Sequence, residues 1–270
     1  MATLRDFLRE GRLSALEARM LWQHVLQVPR SWLIAHDTDT LSEDSVQAYR
    51  QLEERRLAGE PMAYILGMRE FMGHEFLVSP AVLIPRPETE LLVEKAVLCL
   101  QGRSDVAVLD LGTGSGAIAI SLALALPQAQ VVATDISNEA LQVARENASR
   151  LGANVEFHQG SWYQALPSGK VFDLILSNPP YIAEGDPHLV QGDLCFEPAN
   201  ALTDGADGLA AYREIVAGAP EHLQPGGSLY VEHGWEQADQ VCNLLRQAGF
   251  RDVASLPDLA GILRVSGGHL

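Results

Sequence analysis

Residues 106–120, "VAVLDLGTGSGAIAI", join an apolar run of strand length to a turn with glycine at 112, 114 and 116, and then to an alanine-rich segment. A buried strand, a tight turn and a helix packed back on the same sheet satisfy all three parts at once. The glycines allow close backbone approach, and N–H groups at the start of the helix are expected to be free to meet a ligand. Further apolar runs stand at 130–135, 155–160, 171–177, 228–234 and 261–267. Helical periods fall between them. Ser137, for example, is placed to cap a segment with Ala140, Leu141, Ala144, Ala148 and Leu151 on one face. Apolar strands separated by helices predict a mostly parallel, doubly wound sheet covered on both faces.

Asp135 stands 23 positions past Gly112 and ends the second of these strands. A carboxylate there can hold both hydroxyls of a ribose, so turn and acid together predict an adenosine-containing cofactor. Gly112, Gly114 and Ala117 also fit the dinucleotide pattern G-x-G-x-x-A, which leaves NAD(P) and S-adenosylmethionine both open on this pair. Two features favour S-adenosylmethionine. The turn is entered from an acidic residue, Asp110, as in methyltransferase cofactor loops, and "GSWY" (160–163) puts Trp162 where an adenine can stack. Each has a plainer reading: Asp110 as a buried carboxylate tying down backbone N–H groups, Trp162 as core.

The run "FDLIL" (172–176) ends in Ser177-Asn178-Pro179-Pro180-Tyr181-Ile182. Proline cannot donate to a ladder, so the strand stops there, and Asn178 and Pro179 each precede a proline and are held towards extended geometry. The result is a stiff turn with free carbonyls and one fixed amide side chain. Such a site suits a substrate nitrogen whose lone pair is delocalised, as in an amide or an exocyclic amino group. The Asn178 side-chain oxygen and the Pro179 carbonyl can each accept one N–H of that group, and Tyr181 can wall one face of it. This strand is expected beside the first, which brings Asn178 close to the cofactor.

Ahead of the sheet, residues 1–60 read as helical. The start, "MATLRDFLREGRLS", resembles a surface helix. Ser14 with Glu17 forms a capping box for a helix with Leu16, Met20 and Val25 on one face, closed by Pro29. Ser42 caps a second long helix that Gly59 ends, and residues 62–67 look like one more turn. Residues 69–80 suggest a short hairpin, and Pro87 suits the first turn of a helix running to about Leu100. We therefore expect a small helical domain over 1–80, ending in the hairpin, and a second domain over 81–270. Residues 178–208 show no clear period and read as a long binding loop.

Composition narrows the partners. A net charge of −16, with 9 Lys and Arg against 12 Asp and Glu in residues 1–80 and 10 against 23 beyond, argues against stable nucleic-acid binding, which needs a basic face. There is no membrane-length apolar run, and the scattered Cys99, Cys195 and Cys242 suit a reducing cytoplasm. The eight histidines show no metal-ligand spacing, so no metal is expected.

"RRLAGEPMAYILGMREFMGHEFLVSPAVLIPRPETE" (55–90), "DLGTGSGAIAI", "SNPPYI", "FEP" (196–198) and "VEHGWEQ" (231–237) together resemble the peptide chain release factor glutamine methyltransferases. The Asn-Pro-Pro-Tyr turn is shared with nucleic-acid amino-methyltransferases acting on N6 of adenine or N2 of guanine, which stand as the alternative. "GEPMAYILG" and "IPRPETE" are the specific part. The resemblance implies a Rossmann-like class I S-adenosylmethionine-dependent methyltransferase domain behind a small helical domain. It implies methylation of the glutamine side-chain amide in the Gly-Gly-Gln motif of class I release factors, by a cytoplasmic monomer. Carried over by position, it puts the cofactor on Gly112, Thr113, Gly114, Ser115, Gly116, Asp135, Trp162 and Asn178. The substrate glutamine falls on Asn178, Pro179, Pro180 and Tyr181, with Asn178, Pro179 and Tyr181 catalytic. Arg86, Glu88, Glu197 and His233 are left without an assigned role.

Overall fold

A computed structural model describes residues 3–270; Met1 and Ala2, the first residues of the expected surface helix, lie outside the described residues. The chain divides into two compact units, the first reaching Met68 and the second starting at Arg69.

The first unit is helical: α1 (Leu4–Glu10), α2 (Ala15–Leu26), α3 (Arg30–Ala35), α4 (Glu43–Leu57) and α5 (Met62–Leu66). Side chains cap the orphan N–H groups at three of the starts. Thr3 with Asp6 and Ser14 with Glu17 form reciprocal capping boxes, and Ser42 accepts from Ser45 N. The buried face of α2 is not the expected one. Leu16 is 64 % exposed, while Ala18, Leu21 and Trp22 are buried. The helix offers two apolar stripes, and the one carrying Trp22 stacks on Tyr49 at 4.3 Å between centroids, with Phe7 edge-on to both. Burying large rings outweighs burying Leu16. Pro29 caps α3, so it opens a helix as well as following one.

The hairpin of β1 (Met68–Phe71) and β2 (His74–Leu77) falls, but for Met68, in the second unit. Met72 and Gly73 both take positive φ, 51° and 76°, as a two-residue turn between right-twisted strands requires. The hairpin packs into the second unit: Phe71 and Phe76 join the apolar cluster of Leu92 and Val93, and Leu77 N donates to Asn147 Oδ1 at 2.7 Å. A 3-10 turn at Pro87–Thr89 leads into α6 (Glu90–Leu100). Then come β3 (Ala107–Leu111), α7 (Ala117–Ala125), β4 (Gln130–Asp135), α8 (Asn138–Leu151), β5 (Val155–Gln159) and β6 (Phe172–Ser177). The chain closes with α9 (Ala199–Leu202), α10 (Ala210–His222), β7 (Leu223–Glu232), α11 (Ala238–Gln247), β8 (Arg251–Pro257) and β9 (Leu263–His269).

Seven strands form one sheet in the order β5-β4-β3-β6-β7-β9-β8, the first five parallel and the last two antiparallel to their neighbours. One apolar cluster covers each face. From β3 the chain winds outward through β4 and β5, then crosses back to β6 on the other side of β3. The crevice outside the carboxyl ends of β3 and β6 is therefore the switch point. Leu111 pairs with Ser177, so the glycine turn and Asn178 leave the sheet side by side.

Three local expectations change. "RDVASLP" shows little alternation, yet it forms β8 because β9 offers an open edge. β7 starts at Leu223, opposite Phe172; pairing then breaks and resumes with Ser228 opposite Leu174, so the strand expected over 228–234 begins earlier and carries an irregularity at 224–227. Residues 178–208 are also far from structureless: 3-10 turns at Pro187–Val190 and Gly192–Phe196 precede α9. Main-chain bonds pin the segment, from Ile182 N to Leu202 O (3.0 Å) and from Glu184 N to Ala206 O (2.8 Å).

Candidate active site

The glycine turn is held by its neighbours before any ligand arrives. Gly112 N and Thr113 N both donate to Thr134 O at 2.9 Å, Gly114 N donates to Asp135 Oδ2 at 2.8 Å, and Gly116 N donates to Thr113 O at 2.8 Å. Four of the five N–H groups from Gly112 to Gly116 are thus already bonded, whereas the N–H groups expected to be free are those at the start of α7. Gly112, Gly114 and Gly116 all take positive φ. Two of them also need the missing Cβ: one at Gly112 would lie 3.3 Å from the Trp162 ring, and one at Gly116 would lie 2.7 Å from Ile120 Cδ1.

Two buried carboxyls lie beneath the turn. Asp110 is fully buried and accepts from Thr113 Oγ1 at 2.6 Å. Burial pushes its pKa up to about 7, with the Asp135 charge adding to the rise and the bond from Thr113 opposing it. Asp110 thus holds the loop through the Thr113 hydroxyl, while its Oδ1 has no hydrogen-bond partner. Asp135 also binds Ser137 N at 2.9 Å, through Oδ1; burial raises its pKa, and the backbone bonds oppose the rise. A folded-state pKa above the unfolded value means that the native chain binds the extra proton. Asp110 therefore lowers stability as pH rises from about 4 to 7. We expect the melting temperature of Asp110→Asn, relative to the parent, to become steadily more favourable between pH 5 and 7. Scanning fluorimetry would read this, and a constant or shrinking difference would refute it.

The cleft at the switch point takes in about 1060 Å³ of empty space, open solvent included. Gly112, Thr113, Gly114, Ser115, Asp135, Trp162, Asn178 and Pro180 all line it. Of the other residues singled out from the sequence, Gly116 packs against α7 and α8, Pro179 is buried, and Tyr181 stands behind the wall. Burial, with the nearby Glu232 charge adding, pushes the Tyr181 phenol up to about 12, and its carbonyl accepts from Gln237 Nε2 at 3.0 Å. Asn178 donates from Nδ2 to Thr89 Oγ1 at 3.2 Å, which turns its Oδ1 away from Thr89. Ser177 Oγ donates to Leu111 O at 2.7 Å and locks the two strand ends together.

Arg86 lines the cleft and is ion-paired with Glu197, whose other oxygen accepts from Ile84 N at 2.9 Å. The Glu197 carboxylate is buried, so this pair ties the "IPRPE" segment to the loop after β6. Glu88 is exposed and does not line the cleft. His233 is fully buried, with Nδ1 at 2.9 Å from Gly234 O and Nε2 at 2.8 Å from Ser266 Oγ. Burial depresses its pKa, so it is a packed neutral histidine. Sequence reasoning missed Asn147, a polar residue on an otherwise apolar helix face. It is fully buried and donates to Ser115 O (2.9 Å) and Leu77 O (3.0 Å), tying the turn to the hairpin.

Residues 103–257 match the model of a methyltransferase domain, and residues 1–67 match that of the PrmC N-terminal domain. The chain is 61 % identical over its whole length to the release factor glutamine methyltransferase of Bordetella pertussis, covering all of both chains. It is 52 % identical to that of Burkholderia pseudomallei, over 100 % of this chain and 96 % of the relative. Among solved structures, a methyltransferase from Pyrococcus furiosus matches with a TM-score of 0.57 at 21 % identity, over 81 % of this chain and 97 % of that one, a likeness of fold. With near-complete coverage at such identity, the chain belongs to the release factor glutamine methyltransferase family.

Proposed function

We propose that this protein transfers the methyl group of S-adenosylmethionine to the side-chain amide nitrogen of the glutamine in the Gly-Gly-Gln motif of class I peptide chain release factors. The observation that carries the reading is the place of Asn178: on the wall of the cleft, one residue beyond the strand pair that positions the glycine turn, with its amide fixed by Thr89. Gly112 to Ser115, Asp135 and Trp162 would hold the cofactor, with Asp135 facing the ribose and Trp162 the adenine. The cofactor supplies an electrophilic methyl group on a positively charged sulfur.

The rest falls to this chain's own groups. An amide nitrogen is a weak nucleophile because its lone pair is shared with the carbonyl. Asn178 Oδ1 and the Pro179 carbonyl each accept one N–H of the target amide, turn its lone pair towards the methyl and stabilise the positive charge that builds on nitrogen. Once the nitrogen carries the methyl, its acidity is high enough for a proton to leave to solvent without a dedicated base. Tyr181 backs the pocket as a neutral phenol. We further propose that the protein acts in the cytoplasm as a monomer and without stable nucleic-acid binding, which its charge of −16 opposes.

Tritiated S-adenosylmethionine offered in parallel to a class I release factor, DNA and ribosomal RNA tests the reading. Label is expected on the release factor alone, with mass spectrometry placing one methyl group on that glutamine. A release factor with glutamate in its place offers no amide nitrogen and stays unlabelled. Label on nucleic acid, or on any other residue, would overturn the assignment.

A further inference from the structure

Glu232 closes β7, beside the turn that carries Asn178, and only 2 % of it is exposed. A carboxyl is rarely buried to this degree without a full set of partners, yet its Oε2 has no hydrogen-bond partner. Ser177 pairs with Val231, so Asn178 and Glu232 leave neighbouring strands side by side, and Thr89 and Asn178 both favour the charged form of the Glu232 carboxyl. Those two are themselves joined, Asn178 Nδ2 to Thr89 Oγ1, at 3.2 Å. Thr89 is buried at 4 % exposure and lines the cleft. Three polar side chains from three segments thus meet behind the reacting wall.

We propose that Glu232, with Thr89, is a positioning device that fixes which way round the Asn178 amide sits. An Asn amide presents nearly the same shape after a half-turn, so packing alone barely distinguishes its oxygen from its nitrogen. An ionised carboxylate does distinguish them, because it only accepts and so draws Nδ2–H towards itself. That leaves Oδ1 pointing into the cleft as the acceptor. A protonated Glu232 can donate to Oδ1 and stabilise the flipped, non-productive amide. The proposal rests on the reading of Asn178 as the acceptor for the target amide.

The surroundings make this arrangement titratable. Burial, with the charge of Glu88 adding, pushes Glu232 up to about 7, against the bonds from Thr89 and Asn178 and the charge of Arg264. The other ionisable groups facing it are the phenols of Tyr181 and Tyr212, which stay neutral at this pH, and Tyr212 donates to the Glu232 main-chain oxygen at 2.9 Å. His233, the next residue, is held neutral by burial.

The first test needs neither substrate nor cofactor. The side-chain amide signals of Asn178, assigned by their loss in Asn178→Ala, should move with pH about a midpoint near 7, and the movement should vanish in Glu232→Gln. In turnover, kcat of the parent should rise through the same midpoint. Glu232→Gln should lose about tenfold in kcat at pH 8 and flatten the profile, with S-adenosylhomocysteine affinity by calorimetry kept within a few fold. Should Glu232→Gln fail to fold, Thr89→Ser, which keeps the hydroxyl, against Thr89→Val, which removes it, decides the matter: only the valine variant should lose kcat and alter the Asn178 amide shifts. An Asn178 amide that does not titrate, or parent-like kcat and pH profile in Glu232→Gln, overturns the proposal while leaving the assigned reaction intact. Failure to methylate the release factor at all would instead refute the reaction and leave the amide titration standing.

Discussion

Replacing Asn178 with alanine is expected to lower kcat by about a hundredfold or more while changing S-adenosylhomocysteine affinity only a few fold. The size follows from the value of one preorganised acceptor aimed at developing charge, roughly 3 kcal/mol. The asymmetry follows from placement. Asn178 lines the cleft but lies beyond the glycine turn, which Thr134, Asp135 and Asn147 hold independently. Removing its side chain leaves those bonds in place and takes away the group that orients the target amide. Asn178→Asp keeps an acceptor of the same reach but loses the Nδ2–H that bonds Thr89, and sets a second carboxylate beside Glu232. It should therefore fall between parent and alanine variant, recovering as pH rises only to the extent that both carboxyls can ionise. Steady-state kinetics with release factor, alongside calorimetry, would measure both quantities. Near-parent turnover in Asn178→Ala would remove Asn178 from the reaction.

The parts of this molecule legible from sequence are those where backbone chemistry leaves few choices. The strand-turn-helix at 106–120 and the proline stop at 179–180 each restrict local geometry, and the sheet then places the two turns together because Leu111 and Ser177 are in register. Capping at Ser14 and Ser42 was legible for the same reason, since a side-chain oxygen three residues before the right N–H is a local event. What escaped depends on partners distant in sequence. Strand β8 exists because β9 offers it an edge, and α2 turned its Trp22 face inward because Tyr49 waits on another helix. The role of Asn147 rests on contacts with residues 32 and 70 positions away. Glu232 could not be connected to Thr89 from sequence either, since nothing local in "VEHGW" announces that its carboxyl is buried.

Asp135→Ala is expected to weaken S-adenosylhomocysteine binding by about a hundredfold or more, with the fold retained. Two losses add. The carboxylate is the proposed acceptor for the ribose hydroxyls, and hydrogen bonds to a charged group are worth about 1.5–3 kcal/mol each. Its two oxygens also hold Gly114 N and Ser137 N, so the alanine variant frees the tip of the glycine turn and the start of α8 at once. The fold itself should survive. The turn keeps its bonds from Gly112 and Thr113 to Thr134, and Ser137 still caps α8 through Ala140 N. The buried carboxylate also bears a desolvation cost in the free protein, which alanine relieves. Asp135→Asn separates the two losses. Its single acceptor can serve Gly114 or the ribose but not both, and its N–H₂ is mismatched to the donors around it, so it should bind nearly as poorly as alanine despite filling the same space. Calorimetry gives the affinities, and far-ultraviolet circular dichroism checks the fold. Parent-like affinity in Asp135→Ala with a native spectrum would mean that the ribose lies elsewhere in the cleft and that Asp135 serves only the turn.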